Sequence, residues 1–182
     1  MCIFIAACLP KSADHVALDG LARAYQRRFR PQDNESIEKQ LGPVFSWFLT
    51  THGHCDCGTS LGGARDREAR AKDWVAVEQK LVKRGWSRAK VERTLAQMHE
   101  QEERPAPSST ATGNPDLERW REFIEAVLES GLTHEIGLLI RMYSGSQAAA
   151  FDIRERRAVK FAEIATTLPL MEEDVLYVFK AR

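Results

Sequence analysis

The chain has 182 residues, 43% hydrophobic and 29% charged, a balance that excludes a disordered chain and suits one packed domain. Its 26 Lys and Arg match 26 Asp and Glu, so neither a basic nucleic-acid glove nor an acidic tail describes the whole. The longest apolar run, residues 2–10, is shorter than the roughly 20 residues that span a bilayer, and no cationic stretch precedes it. The expectation is a cytoplasmic chain with no membrane association. Its four cysteines, at 2, 8, 55 and 57, are then reduced thiols.

Residues 3–9 are apolar at both parities, as in a strand covered on both faces at the centre of a sheet. Cys2 is assigned to core packing. An N-terminal-cysteine amidotransferase would need a Gly soon after the Cys, and Ile3 stands there. Pro10 ends the strand, and Ser12 or Asp14 caps a helix to about residue 29, with Val16, Leu18, Leu21, Ala22 and Tyr25 facing inward. A polar turn at 31–36, a short helix near 37–41 and a second strand at 44–49 follow.

Residues 50–63 hold four glycines and read as a loop or a strand broken by bulges. Residues 65–103 read as a helical hairpin inserted in the domain. Trp74, Val77 and Leu81 form one stripe and Val91, Leu95 and Met98 the other. Gly85 is the stop, Ser87 the cap, and Trp86 with Val91 the staple. The segment 104–114, rich in Pro, Ser and Gly, reads as a flexible linker within a single domain of residues 1–182. Asn114 then caps a helix with Pro115 at its first position, with Leu117, Trp120, Ile124, Val127 and Leu128 inward and Gly131 at its end.

Residues 135–143 read as a third strand. Residues 151–164 fit strand or helix, and about 168–180 read as a helix with Glu172, Glu173 and Asp174 in its first turn. The fold class is therefore mixed α/β: a small sheet of three to four strands, residues 3–9 central, covered by the helices at 14–29 and 115–130.

His52, His54, Cys55 and Cys57 put four soft or borderline ligands within six residues, the ligand types zinc prefers. In a strand the two cysteines would face one way and the two histidines the other, so only a loop could gather them. A Cys–His nucleophile is the other chemistry these residues allow, with no third orienting residue evident. Residues 58–63 could present amides to a phosphate but lack the Gly-Lys-Ser/Thr ending of a P-loop, and read as a plain connection.

Residues 161–178 resemble a helix-turn-helix DNA reader, with Ala165 at the tight contact and Ile164, Leu168, Leu170, Val175 and Val178 in the core positions. Pro169 stands where Gly is usual. The would-be recognition helix opens on Glu172, Glu173 and Asp174, which phosphates would repel. The segment therefore reads as an ordinary helix pair. Residues 61–104 carry 11 basic against 8 acidic groups and 105–182 carry 9 against 12, a complementarity that two neighbouring surfaces explain.

No paired-carboxylate, Ser-His-Asp or His-Glu-x-x-His set is present. By elimination, the main expectation is a non-catalytic protein that binds another protein, an inhibitor or immunity-type partner that neutralises a bacterial toxin domain without a cofactor. The alternative is a zinc- or thiol-dependent site at residues 52–57, regulatory or enzymic. A nucleic-acid partner for the basic hairpin is the least supported.

Overall fold

The computed structural model describes residues 2–62, 78, 81–83, 86–103 and 114–182. It is a mixed α/β fold around a six-stranded mixed sheet. The elements run β1 (Cys2–Pro10), α1 (His15–Ala24), β2 (Arg30–Pro31), α2 (Glu35–Leu41), β3 (Phe45–Leu49), α3 (Arg88–Glu103), α4 (Pro115–Glu129), β4 (Glu135–Tyr143), β5 (Glu155–Lys160), α5 (Ile164–Thr167) and β6 (Val175–Lys180). Single 3-10 turns at Phe161–Glu163 and Leu168–Leu170 flank α5. Across the sheet the order is β2-β3-β1-β4-β6-β5. All neighbours are antiparallel except β5 and β6. The strand count exceeds the predicted three to four because β2, β5 and β6 fall where the sequence reads as turn, ambiguous and helix.

β1 is central and buried from Ile3 to Pro10, as its two apolar parities require. Ile3, Ile5, Ala7 and Leu9 meet α1 and α4 on one face, through Leu18, Ala22, Trp120, Phe123 and Ile124. Phe4, Ala6 and Cys8 meet Ile37 and Leu41 of α2, together with Phe151, on the other. Both long covering helices thus share a face, and the opposite face is closed by one short helix and a loop.

α4 follows its sequence signals. Asn114 caps it, Pro115 opens it, the five predicted positions and Phe123 are buried, and Gly131 leaves it at φ +74°. α1 is shorter than predicted. Gln26 takes a left-handed φ of +58°, the amides of Tyr25 and Arg27 both turn back onto the Ala22 carbonyl, and Asp19 holds the Phe29 amide at 2.8 Å. Val16 is 85% exposed, contrary to the predicted stripe, because it lies about 200° around the helix from buried Leu18.

The C-terminal segment corrects the sequence reading most. Val175–Lys180 is a strand, so neither a helix over 168–180 nor the helix pair exists. The acidic triplet is a clasp between strands. Glu173 accepts the Met142 amide at 2.8 Å, and Asp174 donates its amide to the Ile140 carbonyl at 3.0 Å and pairs with Arg141 at 2.6 Å.

α3 coincides with the second helix of the predicted hairpin, and Val91 on it is buried. Trp74, Val77, Gly85, the Met98 side chain and linker residues 104–113 lie outside the described residues. Among the described residues no helix is long and apolar enough to cross a membrane.

Candidate functional site

β3 ends at Leu49, opposite Ala6, so the first half of β1 has β4 on one side and no strand on the other. Residues 50–57 take that place without forming a strand. The Thr50 amide and hydroxyl both donate to the Ile5 carbonyl, at 3.0 and 2.6 Å, and the Asp56 amide donates to the Ile3 carbonyl at 2.8 Å. In return the Ile5 amide donates to Asp56 Oδ2 at 2.8 Å and the Ile3 amide to Cys57 Sγ at 3.1 Å. Every backbone group on that edge of Ile3 and Ile5 is thereby satisfied.

In an unbroken register His52 would face Ile3. Asp56 does so instead, and residues 52–54 bulge outward, exposed.

Asp56 is the brace of this loop. It is 2% exposed and also accepts a hydrogen bond from the Thr51 hydroxyl. Burial pushes its carboxyl pKa up, against the Thr51 and Ile5 hydrogen bonds and the nearby Arg27 charge, which favour the ionised form. The Asp56 carbonyl accepts from the Thr59 amide and hydroxyl at 3.0 and 2.8 Å, and a Cβ on Gly62 would collide with it, so only glycine fits there.

Residues 60–62 are helical and lock onto the start of α4. The Ser60 amide donates to Asp116 Oδ2 at 2.7 Å and its hydroxyl to Asn114 Oδ1 at 2.8 Å. An amide that a phosphate would need is thus already held by a carboxylate. Asp116 also pairs with Arg27 at 3.0 Å, whose guanidinium lies 4.1 Å over the Trp120 ring.

The bulge brings the sulfurs of Cys2, Cys55 and Cys57 within 4.8 Å of one another, all three residues half-buried. Of the four predicted ligands, the two cysteines join this group, and His52 and His54 stand exposed outside it. Cys2, expected in the core, is half-buried and supplies the third sulfur. A tetrahedral zinc with Zn–S of about 2.3 Å holds its sulfurs about 3.8 Å apart, so closing this triangle takes movements of about 1 Å.

The fourth cysteine is unlike the others. Cys8 is 2% exposed, and burial pushes its thiol up to about 12.

Cys2 also borders an open pocket of about 540 Å³, with Phe4, Arg30, His54, Tyr143 and Gly145 around it. The Tyr143 hydroxyl is buried without a hydrogen-bond partner among the described residues, and burial pushes it up to about 12. A depression of about 660 Å³ beside Lys11, Glu38, Trp47 and Phe48 lies along β2 and β3 and includes none of the three sulfurs. Among the described residues no histidine is hydrogen-bonded to a sulfur, so the Cys–His nucleophile has no counterpart in the geometry.

Residue chemistry pointed to Cys55 and Cys57. Cys2 and Asp56 were missed, and the one signal available was a cysteine at the edge of a central strand. Comparison with protein-family models, curated proteins and solved structures finds no match to this chain.

Proposed function

We propose that this chain binds a thiophilic divalent cation, zinc being the one its ligands suit, through Cys2, Cys55 and Cys57. The observation that carries the reading is the convergence of three sulfurs from two distant segments within 4.8 Å. Three thiolates are the larger part of a structural zinc site. His54, which borders the same pocket as Cys2, is a candidate for a fourth ligand. The Ile3 amide aimed at Cys57 Sγ and the braced Asp56 between the two loop cysteines are the outer supports such a site uses to hold its ligands. The role is one of holding the start of β1 against the loop, so that metal occupancy and local order rise and fall together. A toxin-neutralising protein partner rests on elimination in the sequence alone, and among the described residues no specific surface favours it over the thiol centre.

Metal analysis of the untagged chain, purified reduced, tests this. One zinc per chain is expected, lost in Cys2→Ser, Cys55→Ser and Cys57→Ser, retained in Cys8→Ala, and accompanied by a lower melting temperature on chelation. A zinc-free chain whose melting is indifferent to added zinc would overturn the reading.

A further inference from the structure

We infer that the thiol centre is also a redox site, in which hydrogen peroxide oxidises Cys2 and Cys55 resolves it as a disulfide. The inference deepens the proposed function and rests on the same cluster, but its chemistry needs only the sulfurs.

Three features carry it. Cys2 is half-buried and lines an open pocket, which gives a small oxidant a route toward it from solvent. A second and a third sulfur lie within 4.8 Å, close enough that side-chain rotation can bring one to the roughly 2.05 Å of a disulfide. Arg30, on the wall of the same pocket, is exposed and pairs with no acidic side chain among the described residues, which leaves its charge free to stabilise a leaving hydroxide.

The resolving thiol is Cys55 rather than Cys57. Cys57 Sγ is tethered by the Ile3 amide and packs with the core under α1 and α4. Cys55 and Cys2 both border the opposite core.

The chemistry balances. The Cys2 thiolate attacks one peroxide oxygen, the O–O bond breaks, and hydroxide leaves and takes a proton to become water. The resulting sulfenic acid is attacked at sulfur by the Cys55 thiolate, the S–O bond breaks, and a second hydroxide is protonated to water. Each sulfur loses one electron and the peroxide gains two. A cation held by the three thiolates would lose two of its ligands to the disulfide and would be released. Cys8, with its thiol held protonated by burial, takes no part.

The test uses the full reduced chain with one equivalent of hydrogen peroxide, in zinc-loaded and zinc-free arms. The readouts are thiol titration, a chromogenic zinc chelator and disulfide mapping by peptide mass spectrometry. Two thiols lost per chain, a Cys2–Cys55 bridge and, in the loaded arm, one zinc released per bridge are expected. Cys2→Ser should slow thiol loss by about a hundredfold and Arg30→Gln by about tenfold, with Cys8→Ala unchanged.

A chain that never holds zinc but forms the Cys2–Cys55 bridge defeats the metal reading and supports this one. A zinc-holding chain whose thiols survive excess peroxide does the reverse. A bridge between any other pair, or between two chains, overturns the inference.

Discussion

Cys2 and Cys8 stand on the same strand, at the same parity, six residues apart, and live in opposite chemical worlds. At the Cys8 end β1 is flanked by β3 on one side and β4 on the other, with Trp47 and Gly137 as direct neighbours. Gly137 has no side chain because Cys8 Sγ occupies the space a Cβ would need, with Leu176 closing the rest. The thiol is sealed, and burial, helped by the Glu135 charge and opposed by the Gly137 backbone hydrogen bond, holds it protonated. At the Cys2 end β3 has already stopped, and a loop with a buried carboxylate replaces it. The contrast teaches that a cysteine's chemistry here is set by what lies beside the strand, not by the strand itself.

Alkylation kinetics test the contrast most directly and carry the largest expected effect. At pH 8 a thiol with a pKa of about 12 is ionised in about one molecule in ten thousand. In native, chelator-treated chain, iodoacetamide should modify Cys2, Cys55 and Cys57 while Cys8 reacts only after denaturation. Peptide mass spectrometry reads the order, and Cys8 modified alongside the others would break the comparison.

The packing explanation for Cys8 is sharpened by Gly137→Ala. The added methyl meets Cys8 Sγ and Leu176, and overpacking of this kind should cost about 2–3 kcal/mol in denaturant unfolding. Combined with Cys8→Ala, most of that loss should return, since the two positions share one space. Additive losses would show that the glycine serves some other purpose.

The smallest effect belongs to the brace. Asp56→Ala leaves the Ile5 amide and the Thr51 hydroxyl without their acceptor and should cost about 1–3 kcal/mol. Asp56→Asn reads the charge. The folded Asp56 carboxyl binds its proton more tightly than an unfolded one, whose pKa is 3.8. Its contribution to stability is therefore full below 3.8 and is lost as pH rises through the higher folded value. Asp19, Glu118, Glu155 and Glu172, whose pKa values are lowered, pull the other way, so the difference between wild type and Asp56→Asn isolates this group. That difference should shift in favour of the variant as pH rises through this window, and equal pH profiles would remove the buried-carboxylate account.

Much of the scaffold was legible from local pattern. β4 has its predicted bounds, β1 is the two-faced central strand, and the stripe through Trp120 is buried as its spacing requires, with Phe123 added to it. Illegible were the features whose cause is non-local. Val175–Lys180 opens on a continuous run of large apolar side chains that suits helix or strand, and the acids just before it look like a helix start. What decides for a strand is the Arg141 guanidinium and the Met142 amide, more than thirty residues away in sequence, waiting for Asp174 and Glu173. The site failed in the same manner. Cys55 and Cys57 advertise themselves as a pair, but that Cys2 joins them and His52 does not depends on a bulge that shifts Asp56 opposite Ile3. No residue in 52–54 announces its size.

The central placement of β1 also has a consequence for the newborn chain. β1 is synthesised well before its partner β4, which lies at residues 135–143. At translation speeds of about 5–20 residues per second, roughly 7–26 s separate their synthesis. For that interval the strand lacks one of its two sheet neighbours: β3 covers Ala6 to Pro10 and the loop at 50–57 reaches Ile3 and Ile5, while the β4 side of Cys2 to Cys8 stays open. That open side includes Cys2, whose partner Tyr143 is not yet made, so in the newborn chain the thiol meets aggregation partners and stray oxidants without its β4 cover.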